Sequence, residues 1–154
     1  MKTTKKTQAR HYAFKFLFQF QHEKFDANLE ATLNDLDSIL EEFDATYVEP
    51  DREHPDNAID SDIKSFAAKL IRGVLGKREE LEKTIAPLLT KGEFKSINSV
   101  NQLAVLLGSY ELLFMPETPA KVVINEAINM AKEYGTKDSH SFVNSILDRL
   151  SKGE

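Results

Sequence analysis

The chain has 154 residues, no cysteine and a formal net charge of −5. This length allows one compact domain, residues 1–154, and excludes a catalytic domain with an appendage, while the lack of cysteine excludes disulfides and thiolate metal sites. The four histidines are scattered rather than set at ligand spacing. No run approaches the roughly 18 apolar residues that span a bilayer, and the N-terminus lacks an apolar export segment, so we expect a cytoplasmic protein without a membrane partner.

Charge is distributed unevenly along the chain. Residues 1–20 carry five basic side chains and no acidic one, whereas residues 21–62 carry fourteen acidic side chains against two basic ones. The net negative charge argues against a general nucleic-acid binder. A basic arm, residues 1–8, on an acidic body would instead confine any nucleic acid to one face.

The first predicted helix, residues 7–22, has two apolar faces. The main one has helical spacing and comprises Ala9, Tyr12, Ala13, Phe16, Leu17 and Phe20. Phe14 and Phe18 form a second pair, four residues apart, on another part of the helix. Two interpretations stay open for this pair: both rings are buried in a helical bundle, or they contact a protein partner.

Residues 44–60 have the composition of an exposed, mobile loop. The segment combines Pro50 and Pro55 with a run of acidic side chains. No stretch of the chain shows sustained strand alternation, so the sequence predicts an all-α protein. The predicted helices are near residues 7–22, 28–43, 61–75, 77–89, 97–115, 119–134 and 137–151.

The stretch from Lys121 to Leu150, KVVINEAINMAKEYGTKDSHSFVNSILDRL, joins two amphipathic helices through a polar junction. Gly135 suits the left-handed position just past a helix end, and Thr136 suits the N-cap of the next helix. Asp138, Ser139 and His140 do not indicate a catalytic triad, because consecutive helical residues point about 100° apart and cannot converge. The junction is therefore predicted to be short and rigid.

This stretch resembles the C-terminal signature of the NusB family of bacterial transcription antitermination factors. Ile71 to Val74, Ile85 to Pro87 and Tyr110 to Leu112 fit earlier segments of the family, and the first helix fits through Ala9-Arg10, Leu17-Phe18 and Gln21. The resemblance covers nearly the whole chain and is weakest between residues 23 and 60. It implies a NusB-like fold of two packed three-helix bundles, with the N-terminal helix bridging them.

The resemblance also implies an RNA-binding adaptor of the RNA polymerase elongation complex. Family members bind the boxA element of ribosomal RNA operons together with NusE, a small-subunit ribosomal protein. Carried onto this sequence, the RNA-binding residues are those of the basic arm and of the start of the last helix: Lys2, Lys5, Lys6, Arg10, Asp138, Ser139 and Phe142. Phe142 suits core packing equally well. No catalytic residue, cofactor or metal is implied.

The expected contacts with NusE lie on the first and fifth helices, at Phe14, Phe18 and Asn101. Asn101 and Leu106 stand where many members have Glu and Arg, and Lys5 and Lys6 stand where members commonly have arginines, which grip phosphate and stack on bases better than lysine. These departures indicate a diverged member. A competing hypothesis is accordingly a paralogue that homodimerises or docks a protein through Phe14 and Phe18 without binding boxA. A third is a helical accessory domain like those of ribosomal-RNA cytosine methyltransferases, which would require a separate catalytic chain.

Overall fold

The computed structural model describes residues 4–22, 29–47, 60–90 and 92–153, which form seven α-helices and no strand. The helices are α1 (Lys5–His22), α2 (Leu29–Asn34), α3 (Leu36–Tyr47), α4 (Ser61–Ile85), α5 (Ser99–Phe114), α6 (Ala120–Tyr134) and α7 (Ser139–Ser151). Short 3-10 turns occupy Ala86–Leu88 and Phe94–Ser96. Within these described ranges, no helix is long and apolar enough to cross a membrane.

The chain divides into two compact units, residues 1–75 and residues 76–154. The boundary falls inside α4, so the first unit holds α1, α2, α3 and the first part of α4. The second unit holds the rest of α4, both 3-10 turns and helices α5 to α7.

The core of the first unit is built on the apolar face of α1. Its predicted members are buried except Phe20, which is half-buried. The ring of Phe43 in α3 lies edge-on to Tyr12 and Phe16, with centroid distances of 5.1 and 5.2 Å. Such edge-to-face pairs add to the stabilisation from burial itself. The pattern of α1 therefore fixes which side of the helix meets α3.

In the second unit α5, α6 and α7 pack against one another in all three pairings. Each of α6 and α7 buries one stripe, which is the outcome that its amphipathic pattern predicts. Every residue of α5 from Asn101 to Ser109 is buried. In the last turn of α7, the Arg149 guanidinium donates a 2.7 Å hydrogen bond to the Leu88 carbonyl. This bond connects the end of the helix to the first 3-10 turn.

Two predicted helix boundaries are wrong. The predicted helices 61–75 and 77–89 are the single helix α4, which continues through Gly76. A glycine inside a helix costs about 1 kcal/mol relative to alanine, and this cost does not by itself end a helix. Conversely, the predicted helix 28–43 is divided at Asp35, because asparagine and aspartate at 34 and 35 are poor helix formers.

Parts of the predicted arm and of the predicted acidic loop are helical. α1 begins at Lys5, so residues 5–8 of the arm are helical, and Thr4 supports this start because its hydroxyl accepts a 3.0 Å hydrogen bond from the Thr7 amide. Residues 44–47 belong to the end of α3. The prediction of a loop over 48–59 lies outside the described residues.

A close approach of α5 and α7 makes Gly108 a test of this packing. A Cβ at Gly108 would lie 2.6 Å from Cδ1 of Leu147, which is fully buried and has little space to move. We expect Gly108→Ala to lower the free energy of unfolding by about 1–2 kcal/mol, since overpacking outweighs the gain in helix propensity. Urea denaturation measures the change. Gly76→Ala is the matched control, because a Cβ there meets no atom within 4 Å; if both variants are stabilised, the close approach is contradicted.

Candidate nucleic-acid interface

The start of α1 is joined to the start of α4 by a cluster of charges. The Lys5 ammonium lies 2.9 Å from an Asp60 carboxylate oxygen and 3.2 Å from one of Asp62. Hydrogen bonding to Asp60, and then to Asp62, raises the pKa of Lys5 above its ordinary value. The Lys5 hydrogen bond, followed by one from the Ile63 amide, lowers the pKa of Asp60. Lys5 therefore stays charged and anchored throughout the neutral range.

The pH dependence of this cluster has a defined sign. Because the pKa of Asp60 is lowered on folding, its contribution to stability is present above its ordinary pKa of 3.8 and is lost as the pH falls through the folded value. Because the pKa of Lys5 is raised, its contribution is present below its ordinary pKa of 10.5 and is lost as the pH rises through the folded value. Between these limits the pair remains intact.

We expect Asp60→Asn to return the pKa of Lys5 toward its ordinary value and to remove part of the loss of stability in acid. Asp60 is the larger cause of the shift, so Asp62→Asn should move the pKa of Lys5 less. NMR titration of the Lys5 side chain in both variants measures the two shifts. A larger effect from Asp62→Asn would contradict the geometry of the cluster.

Next to this cluster lies an open pocket in the first unit, called here the Phe66 pocket. Its volume is about 430 Å³, and it is lined by Lys5, Lys6, Asp62, Ser65, Phe66 and Lys69. The Lys6 ammonium lies 5.6 Å from the centroid of the half-buried Phe66 ring. Lys6 and Lys69 are exposed. An aromatic ring among lysines is the combination with which proteins hold unpaired nucleotides.

Arg10 does not lie where the sequence predicts. Its side chain is only 2% exposed, and the guanidinium carbon lies 5.5 Å from the centroid of the Phe66 ring. The buried guanidinium is not accessible to a phosphate in this conformation, and the RNA contact of Arg10 stays a prediction. Its contact with Phe66 is a cation–π interaction, worth about 2 kcal/mol when desolvated. Of the other predicted arm residues, Lys5 and Lys6 are exposed, and Lys2 lies outside the described residues.

The start of α7 is a tightly built junction rather than a uniformly exposed surface. Asp138 is exposed and precedes α7, but Ser139 is fully buried and its hydroxyl accepts a 3.0 Å hydrogen bond from the Thr136 amide. The RNA contact of Ser139 stays a prediction, although the buried side chain has no accessible surface in this conformation. The predicted N-cap at Thr136 is wrong, because Asp138 occupies the cap position. Phe142 is half-buried, which is compatible both with core packing and with a contact to RNA.

Gly135 is required by space and not by backbone conformation. The residue has φ −102° and ψ −165°, which is extended backbone, so the predicted left-handed conformation is wrong. A Cβ at Gly135 would lie 2.5 Å from the Ser139 hydroxyl oxygen and 2.6 Å from the Ala131 carbonyl oxygen. The junction from α6 to α7 is thus short, as predicted, and crowded around Gly135.

The residues predicted to bind a protein partner differ in accessibility. Phe14 is 2% exposed, so the structure favours its core interpretation, whereas Phe18 is half-buried and stacks on Phe14 with a centroid distance of 6.4 Å. Asn101 is 9% exposed, and its backbone amide bonds to the Asn98 cap of α5. Only Phe18 of the three offers substantial surface to a partner.

Sequence reasoning missed several accessible residues. Phe66 lies three residues after Ile63 and four before Leu70, on the buried stripe of α4, so its spacing predicts a core residue. Nothing in the sequence places Lys69 beside the start of α1. The exposed large apolar side chains of the described ranges, Leu113, Phe114 and Val122, were not singled out either. In those ranges no group of histidine, aspartate and glutamate could hold a metal ion.

Comparison with solved structures defines the class of fold. NusB from T. maritima is 35% identical, with a TM-score of 0.76 over 99% of this chain and 93% of that chain. A chain from the crystal structure of antitermination factors NusB and NusE in complex with dsRNA has a TM-score of 0.74 over 97% of this chain and 98% of its own length. Its 20% identity shows a shared fold alone. The fold is the all-helical fold of the antitermination factor NusB.

Sequence comparison identifies the family. The NusB family model matches residues 7–152. The transcription antitermination protein NusB of Macrococcus caseolyticus is 30% identical over 151 residues, which cover 97% of this chain and 98% of that protein. Its counterpart from Thermodesulfovibrio yellowstonii is 32% identical over 151 residues, which cover 97% of this chain and 93% of that protein. The chain belongs to the NusB family, and the predicted family and all-helical fold are confirmed.

Proposed function

We propose that this protein is a non-enzymatic, cytoplasmic adaptor that binds boxA RNA of ribosomal RNA operons together with NusE and acts in transcription antitermination. Its membership of the NusB family supports this role, because curated relatives that match nearly its whole length are transcription antitermination proteins. A solved structure of the same fold holds NusB and NusE with RNA.

The observation that carries the proposal on this chain is the Phe66 pocket. Three lysines, Lys5, Lys6 and Lys69, line it together with one carboxylate, Asp62, in a protein whose net charge is −5. A local excess of lysine attracts phosphate while the acidic remainder repels it. Family membership supports RNA as the class of ligand, and the lining of the pocket supports this surface as its contact. The surface at Asp138 and Phe142 is a second, separate candidate contact in the second unit.

A fluorescence-anisotropy titration tests the proposal. Labelled boxA RNA and a scrambled RNA are titrated with the protein, with and without purified NusE, at several salt concentrations. We expect tighter and boxA-selective binding with NusE, and three or four phosphate contacts predict a slope of log affinity against log salt of about −2 to −3. The absence of binding under all conditions would refute the proposal, and binding that is independent of salt would refute the role of the lysines.

The competing hypothesis of a homodimer through Phe14 and Phe18 is weakened, since Phe14 is buried. Light scattering decides it directly. A dimer that Phe18→Asp converts to a monomer, in a protein that binds no RNA, would favour that hypothesis over the antitermination adaptor.

A further inference from the structure

The ring of Phe66 is held in place before any ligand arrives. The buried Arg10 guanidinium lies 5.5 Å from the ring centroid, and the ring itself is half-buried while lining the pocket. An aromatic ring that is fixed and still partly exposed can stack against a planar group with little loss of conformational freedom. Phe66 is therefore suited to contact a nucleobase.

The charges around the ring are divided between two tasks. Lys5 is occupied by Asp60 and Asp62, with separations of 2.9 and 3.2 Å, so it anchors the wall of the pocket. Lys6 and Lys69 are exposed residues that also line the pocket. Because a lysine side chain is long and flexible, the Lys6 ammonium can leave the ring face for a phosphate when a base takes its place.

The size of the pocket suits one nucleotide. Its volume of about 430 Å³ lies within the range of roughly 300–1,000 Å³ that is usual for small-ligand sites. A paired base inside an A-form duplex cannot present its face to an aromatic side chain, whereas an unpaired base can be splayed out and stacked. The pocket should therefore discriminate single-stranded from double-stranded RNA.

We propose that the Phe66 pocket is a subsite for one unpaired RNA nucleotide, in which Phe66 stacks on the base while Lys6 and Lys69 contact the flanking phosphates. The inference rests on the proposed function and deepens it. It assigns a role to two residues of α4, Phe66 and Lys69, which the basic arm does not include. It also assigns Arg10 a positioning role, since its guanidinium carbon lies 5.5 Å from the ring centroid.

An abasic scan of the RNA tests the subsite. Single abasic substitutions are placed at each position of a boxA oligonucleotide, and binding is measured with NusE for the wild type and for Phe66→Leu. In the wild type, loss of the stacked base should weaken binding about fivefold or more at one position. Phe66→Leu should bind the intact RNA with a similar deficit and should lose sensitivity at that position, while Phe66→Tyr, which keeps a ring, should retain it.

The charge component is tested separately with Lys69→Gln. We expect the salt slope to become shallower by about 0.7, the value for one contact to a single strand. Lys83→Gln is the matched control, since Lys83 is an exposed lysine of the same helix that pairs with Glu79 on the surface. Replacing RNA by a duplex of the same sequence should reduce binding in the wild type.

The outcomes separate the subsite from the proposed function. If the wild type binds boxA RNA but Phe66→Leu shows the same sensitivity at every abasic position, the subsite is refuted and the adaptor function stands. If the wild type binds no RNA, both fail. Thermal melting checks that Phe66→Leu is folded, and a crosslink from 5-iodouridine RNA to the wild-type peptide containing Phe66 gives an independent reading; its absence at every labelled position overturns the subsite.

Discussion

Replacing Gly135 by alanine is expected to lower the free energy of unfolding by about 2–3 kcal/mol, toward the upper end of the usual cost of overpacking. The new Cβ would lie 2.6 Å from the Ala131 carbonyl oxygen, which already accepts the 2.9 Å hydrogen bond from the Gly135 amide. A backbone carbonyl cannot move as a side chain can. The cost arises from the backbone shift that relieves this contact, and not from any conformation that alanine cannot adopt.

The measurement is urea denaturation of Gly135→Ala beside the wild type and Gly76→Ala. At Gly76 the same added methyl meets nothing within 4 Å in the middle of α4, so we expect a gain of about 0.5–1 kcal/mol. Opposite signs for the two variants would confirm that space decides the effect. If Gly135→Ala leaves the free energy of unfolding unchanged, the junction between α6 and α7 can relax. That result would contradict the rigid junction that the sequence predicts.

The double substitution Lys5→Glu and Lys6→Glu, which reverses both charges, is expected to weaken RNA binding about a hundredfold at physiological salt. Loss of the Lys6 contact to a phosphate of a single strand is worth about fourfold near 0.15 M salt. The positive charge lost at Lys5 and the two new repulsions account for the remainder. At position 5 the substitution also places a glutamate beside Asp60 and Asp62, which removes the anchor of the pocket wall. Anisotropy with boxA RNA and NusE measures the loss.

The matched control is Lys83→Glu with Lys95→Glu, which reverses the charge of two exposed lysines of the second unit. Its net charge is the same as that of the first double variant. We expect this control to bind RNA nearly as well as the wild type, apart from a small long-range effect that salt screens. Equal weakening of both double variants would mean that net charge, and not the surface around Lys5 and Lys6, governs binding. Circular dichroism of both variants checks that each is folded.

The sequence predicts the second unit of the fold better than the first. The last three predicted helices begin and end within about three residues of α5, α6 and α7, because hydrophobic periodicity is strong there and Pro119 and Gly135 mark two of the boundaries. In α4 the sequence predicts two helices, 61–75 and 77–89, but the apolar stripe continues through Gly76 to Leu81 and Ile85, which are fully buried. Packing of a continuous stripe outweighs the weak local preference of one residue.

For the candidate site, the sequence predicts chemistry more reliably than orientation. The excess of basic residues near the N-terminus correctly indicates that Lys5 and Lys6 are exposed, since lysines are rarely buried. It does not indicate the burial of Arg10, because an arginine can be buried when its guanidinium has a partner such as the Phe66 ring, and that partner lies 56 residues further along the chain. Phe66 and Lys69 become visible as site residues only when the start of α1 and α4 are brought together.

The burial of α5 also determines how the stability of this protein can be followed. Its residues from Asn101 to Ser109 are all buried, so its central amides are shielded both by their helical hydrogen bonds and by side chains on every side of the helix. Such amides exchange with solvent deuterium mainly when the whole unit unfolds, whereas amides near helix ends exchange through local fraying. The exchange rates of this segment therefore report the free energy of unfolding of the second unit under native conditions, without denaturant.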